Sequence, residues 1–271
     1  MLIDTHCHLD AAEFDADRED VIKRGEAAGV QAIVIPAVSR ANFDVVETLA
    51  HSFPGGRYAL GIHPIAVPHA QEEDLALLAE RAEAALSDER FVGIGEIGLD
   101  FFIPALKEPA MRDKQSRFFD AQLKLAQKLA LPVIVHVRRS QDEVLKFLRR
   151  REGLQGIAHA FNGSFQQAEQ FIQQGFVLGF GGAMTFERAL QIRRLAECLP
   201  LDSLVLETDA PDIPPAWLGK PGGARPRNEP GEVARIGQEM AKLRGLALDD
   251  IIDVTAENAF RALPRLSLAG V

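Results

Sequence analysis

With 271 residues, 47% of them hydrophobic and 25% charged, the chain can bury a large core and is too apolar to be a disordered segment. A net charge of −9 excludes a protein that grips nucleic acid by bulk electrostatics, which relies on Lys and Arg to neutralise phosphates, but not an enzyme that meets a strand at one metal-rich pocket. Two cysteines are too few for a disulfide framework, and no window approaches the roughly 20 apolar residues that cross a bilayer, so a soluble, cytoplasmic protein with no membrane partner is expected.

Taken in chain order, strand-length apolar runs alternate with helical patterns. LIDTH (2–6) precedes a helical candidate at 16–28, AIVIP (32–36) one at 41–52, and YALGI (58–62) a helix carried by Leu75, Leu78, Ala79, Ala82 and Leu86. FVGIG (91–95) leads to a helix through Phe119, Leu123, Ala126 and Ala130, and PVIVH (132–136) to one at 140–151 with Ser140 as N-cap. GIAHA (156–160) is followed by 165–174, capped by Ser164 and ended by Gly175, FVLGF (176–180) by 186–198, and SLVLET (203–208) by 230–244 and 249–261. The strands are continuous and rich in Val, Ile and Leu, as strands covered on both faces should be. Eight such units with no linker predict one closed (β/α)8 TIM barrel spanning 1–271. The alternative, an open doubly wound sheet, lacks the glycine-rich phosphate loop after its first strand.

Reacting groups in such a barrel gather where the strands end. There the sequence sets His6 and His8 after the first strand, His63 after the third, Glu96 after the fourth, His136 closing the fifth, His159 in the sixth and Asp209 after the eighth. In the run HCH, side chains two apart point the same way, so His6 and His8 face the interior while Cys7 packs among the helices. Asp4 shares the inward face as a candidate to orient one of the histidines. Even four of these imidazoles with the two carboxylates exceed the three protein ligands of an ordinary catalytic zinc, so two ions with Glu96 as their bridge use the set best.

IDTHCHLD, GIHP (61–64), GEIGLD (95–100), LPVIVH (131–136), HAFNG (159–163) and ETDAP (207–211), in this order over nearly the whole chain, resemble the TatD family of metal-dependent hydrolases, within the amidohydrolase-like barrels. The resemblance implies that His6, His8, Glu96 and Asp209 hold one metal, that Glu96, His136 and His159 hold a second, and that His63 lies on the substrate side. It also implies a magnesium- or manganese-dependent deoxyribonuclease of the 3′ to 5′ exonuclease type. Imidazole-rich ligation itself suits zinc, manganese, iron or nickel better than magnesium. Departures from the family pattern fall in the loops: GLDFF where GLDYY is common, HVRRS where HSRDA is usual, which sets Arg139 where an acidic residue is frequent, and HAF for HCF.

The expected chemistry is attack on phosphorus by a water held between two cations, with Asp209 taking its proton and Glu96 as the other catalytic carboxylate. Arg138, two residues beyond His136, shares its face and is expected to reach substrate, with Arg139 pointing away. Arg227, in the family-like RNEP, is expected to contact substrate, with Lys220 and Arg225 beside it, whereas Arg149 to Arg151 end a helix and read as a solvated structural cluster. Phe101, Phe102 and Trp217 are candidates to stack a base. DNA ends or oligonucleotides are the expected substrate, without sequence-specific binding, because no duplex-reading module is present. Two other readings stay open, a hydrolase of a small cyclic amide, ester or lactone on the same barrel and a non-catalytic metal-binding protein.

Overall fold

The computed structural model describes residues 1–219 and 226–266, so Lys220 and Arg225 lie outside the described residues. Eight strands form one parallel sheet in sequential order: β1 (Leu2–Asp4), β2 (Val30–Pro36), β3 (Gly56–Leu60), β4 (Phe91–Asp100), β5 (Val133–Arg138), β6 (Gly156–Ala158), β7 (Phe176–Phe180) and β8 (Leu204–Leu206). The first and last strands meet just beyond their paired residues. Thr5 donates to the Leu206 carbonyl from both its amide (3.1 Å) and its hydroxyl (3.0 Å), and at 2.8 Å Asp209 N bonds His6 O and His8 N bonds Ala210 O. Sequential order with the ends in contact is a barrel, and the open-sheet alternative falls.

Two apolar layers hold it. Ile3, Val34, Val92, Ile134, Ile157, Val177 and Val205 pack inside the barrel together with Ala256, Ala259, Ala262, Leu263 and Leu266, so the helix α9 (Leu248–Ala262) and the residues after it seal one end. Outside, α1 (Arg18–Ala27), α2 (Phe43–His51), α3 (Glu72–Ala84), α4 (Pro109–Lys128), α5 (Gln141–Leu148), α6 (Phe165–Gln173), α7 (Leu190–Cys198) and α8 (Val233–Arg244) cover the sheet with residues such as Val46, Leu78, Phe119, Phe171, Leu195 and Ile236. No helix among the described residues is long and apolar enough to cross a membrane.

Several boundaries differ from the sequence expectation. β4 runs ten residues rather than five, because Glu96, Gly98 and Asp100 interrupt the apolar pattern although all are buried. β1 and β6 stop before their histidines, which therefore project from the rim. Ser140 does precede α5, but its hydroxyl donates to Leu99 O (2.6 Å) instead of capping the helix and so ties β5 to β4. Ser164 closes a reciprocal cap with Gln167, and Gly175, at φ 85°, turns the chain after α6.

Two buried glutamines of α4 fix the rim from behind. Gln122 accepts from Ile62 N (2.7 Å) and donates to Ile62 O (3.1 Å), while Gln115 accepts from Asp100 N (2.9 Å). Each satisfies backbone groups where a strand frays into the loop that carries His63 or follows Asp100.

Candidate metal centre

Glu96 stands at the foot of a cavity of about 860 Å³ that opens at the C-terminal ends of the strands. Its Oε2 lies 3.0 Å from His6 Nε2 and 3.3 Å from His8 Nε2, and its Oε1 lies 2.7 Å from His136 Nδ1, 2.9 Å from His159 Nε2 and 3.2 Å from His63 Nε2. Each carboxylate oxygen thus serves a separate group of imidazoles. Asp209 approaches the first group, with Oδ1 3.7 Å from both His6 Nε2 and His8 Nε2. His6 and His159 stack at 3.8 Å, and His63 Nε2 sits 3.1 Å from His136 Nδ1.

Every residue expected as a ligand is therefore brought together, and His63, expected on the substrate side, joins the ligand-forming group as a further nitrogen. Asp209 adopts φ 56°, a left-handed conformation that the short polar side chain of Asp tolerates and that is characteristic of strained functional positions.

The electrostatics suit cations. Burial opposes ionisation of Glu96, but His159, His63 and His6 outweigh it and hold the carboxyl well below its ordinary range. Burial and the neighbouring His159 drive His6 down, and burial pushes His63 to about 4, leaving neutral rings with lone pairs free to ligate. For His8, burial is overcome by Glu96 and Asp209, which raise it to about 9. The same carboxylates that favour a proton on His8 favour a cation in its place. Burial lifts Asp209 to about 6.

Five imidazole nitrogens around one carboxylate cannot all be satisfied by its two oxygens, and protonating the rings would bury several like charges. Lone pairs converging on shared centres, with borderline nitrogen and hard oxygen donors, fit divalent metals of the zinc, manganese, iron or nickel kind.

Around this set the structure adds residues that sequence reasoning passed over. Glu207, 1% exposed, accepts from Ala160 N (2.5 Å) and has Oε1 3.6 Å from His159 Nδ1. It has room because position 179 is glycine, where a Cβ would stand 2.1 Å from Glu207 Oε2. Asp100 Oδ2 lies 3.3 Å from His136 Nε2, the ring nitrogen turned away from Glu96. The alternation that pairs His6 with His8 also pairs Glu207 with Asp209, and this was the available signal for Glu207. Asp4 does not reach an imidazole ring. Its carboxylate accepts from Thr208 N (2.9 Å), Thr208 Oγ1 (2.6 Å) and His6 N (3.3 Å), strapping the chain after β8 to the chain after β1.

The loop residues divide. Arg138 borders the cavity, 3.9 Å from Asp100 Oδ2, with its guanidinium 3.9 Å from the Phe102 ring centroid. Arg139 was expected to point away. It borders the cavity too, because β5 ends at Arg138 and Arg139 takes φ 55°, which breaks the alternation. Arg227 is absent from the cavity wall. Its guanidinium forks onto Asp17 at 2.7 and 2.8 Å, donates to Glu13 O and covers Phe14, so its fork is already filled. The rest of RNEP is equally structural, since Asn228 Nδ2 donates to Thr208 O and Asp212 O and Glu229 pairs with Arg24. Trp217 donates to Glu232 and lies under Arg235, and Phe101 lies under Arg112, which leaves Phe102, 40% exposed, as the one of the three candidate aromatics at the cavity. Arg151 is buried rather than solvated, bonded to Phe147 O and to the Asp120 carboxylate.

The family model described as TatD related DNase matches residues 3–264. The chain belongs to the TatD family. This TatD hydrolase is 38% identical to the Escherichia coli protein named uncharacterized metal-dependent hydrolase YjjV, over 95% of this chain and 96% of that protein. The crystal structure of YjjV superposes with a TM-score of 0.88 over 97% of this chain and 98% of that one. The chain is also 29% identical to human deoxyribonuclease TATDN3, over 98% of its own length and 95% of the relative. The chain is accordingly a metal-dependent hydrolase on a TIM barrel.

Proposed function

We propose that this TatD hydrolase is a deoxyribonuclease that removes nucleotides from DNA ends, in the 3′ to 5′ direction, with two divalent cations, magnesium or manganese in activity and zinc, nickel or iron as other occupants. The observation that carries the proposal is the division of labour at Glu96, one oxygen toward His6 and His8 and the other toward His63, His136 and His159, beneath a cavity whose rim presents guanidinium groups. The name of TATDN3 supports the same substrate class.

His6, His8, Glu96 and Asp209 would hold one cation and Glu96, His136 and His159 the other, with His63 beside them. When bound, such a pair neutralises phosphoryl oxygens and makes water a competent nucleophile near neutral pH. Asp209, ionised above about pH 6, accepts the proton of the attacking water. The Arg138 fork matches the non-bridging oxygens of a phosphate and holds them in line with that attack. Glu207 and Asp100 keep His159 and His136 oriented from behind. Phe102 offers a face on which a base can stack.

A cyclic amide, ester or lactone needs no cations at the rim, and a structural metal site needs no open cavity, so the phosphodiester reading accounts for more of the site. The test is release of mononucleotides from labelled single-stranded and duplex DNA by metal-reconstituted protein, with Glu96→Ala as control. Release by the native chain alone supports the proposal, and equal release from both preparations rejects it.

A further inference from the structure

The cations of the cavity are unevenly placed. Among the described residues, the Lys and Arg side chains that border it are Arg138 and Arg139, both at the end of β5, while Asp10, Glu13 and Asp212 line other parts of the wall. Both guanidinium groups flank a single ring, at 3.9 Å (Arg138) and 4.8 Å (Arg139) from the Phe102 centroid. The nearby carboxylate cannot balance both. Asp100 already accepts from Phe102 N (2.7 Å) and Ile103 N (3.1 Å), faces His136 with its other oxygen, and meets Arg138 only at 3.9 Å. Among the described residues Arg139 has no carboxylate within ion-pairing distance and is exposed. Two like charges held beside each other with one distant carboxylate between them, the unpaired one on a left-handed backbone, form a surplus that an anionic ligand would relieve.

We infer that Arg139 is a specificity-determining residue that binds a second phosphate group, one nucleoside removed from the phosphate at the metal centre, with Arg138 on the first phosphate and the intervening nucleoside against Phe102. The assignment rests on the phosphodiesterase reading and deepens it. The second phosphate can be a terminal monoester or an internal diester.

Binding to the metal-loaded protein, measured by titration calorimetry, tests the inference separately from turnover. Thymidine 3′,5′-bisphosphate should bind about tenfold or more tightly than thymidine 5′-monophosphate, as one added charge-assisted fork allows. In R139Q that ratio should fall to near one with the affinity for the monophosphate unchanged, and R139D should bind the bisphosphate more weakly still. A purely structural role would weaken both ligands together. The 3′-methyl ester of the bisphosphate separates the sources: tightening by both compounds means that an internal diester suffices, and tightening by the bisphosphate alone means that a terminal monoester is read. A native ratio near one, or a ratio unchanged in R139Q, overturns the inference. A preserved ratio in a protein that cleaves no DNA sinks the nuclease reading and leaves Arg139 as a phosphate reader, whereas DNA cleavage without the ratio does the reverse.

Discussion

Replacing Glu96 by Gln keeps the shape of the side chain but removes the charge that five imidazoles share. Elemental analysis after dialysis should show metal lost from this variant, with affinity down by more than about 100-fold, beyond what loss of an outer-sphere partner costs. Undiminished metal content would remove Glu96 as a ligand. At Gly179, an alanine Cβ would fall 2.1 Å from Glu207 Oε2, so the buried carboxylate or the strand must shift. Gly179→Ala should cost about 1–3 kcal/mol in urea denaturation, the usual range for overpacking, and weaken metal binding through His159. An unchanged midpoint would mean that the strand yields instead.

Asp209 sets a pH dependence. Its carboxyl is raised from 3.8 to about 6 by burial, so in the metal-free protein protonation favours the fold, and this contribution is lost as pH rises from about 4 to about 6. Ligation needs the carboxylate, so cation affinity should climb as pH rises through about 6. His8, held protonated to about 9, must release its proton to ligate, and calorimetry near pH 7.5 in two buffers of different ionisation enthalpy should reveal that release. Binding without proton release would show that His8 stays outside the metal sphere.

At the scale of elements, RNEP is a clasp. Arg227 joins the loop before α8 to Asp17 at the start of α1, and Asn228 holds the loop after β8. Arg227→Ala should lower the melting temperature yet leave kcat/KM for a small phosphodiester unchanged. A selective fall in turnover with stability intact would return Arg227 to the substrate. The strands and the convergence of the candidate ligands were legible because buried parallel strands are apolar throughout and period-two alternation places residues such as His6 and His8 on one face. What was not legible depends on long-range partners or on backbone exceptions. The partner of Arg227 lies 210 residues away, and Arg139 defies the strand pattern only through its positive φ. Glu96, Gly98 and Asp100 hid the length of β4, since charge and glycine ordinarily signal its end.

At the scale of the molecule, the barrel and the convergence of its rim followed from counting units, whereas the role of the last helix did not, because an amphipathic pattern does not say which surface it covers. Leu263, fully buried with Ile3, Val92 and Val205, closes that end. Leu263→Ala should cost about 2–5 kcal/mol, as a cavity at a sealed site does. A loss below about 1 kcal/mol in denaturant titration would show that α9 merely rests on the surface.

This plug has a consequence for traffic. The barrel is filled with side chains from Ile3 to Leu266, so the cavity above it has a closed floor. Nothing can be threaded down the barrel axis and out of the far end, so whatever binds comes and goes on the side of the rim.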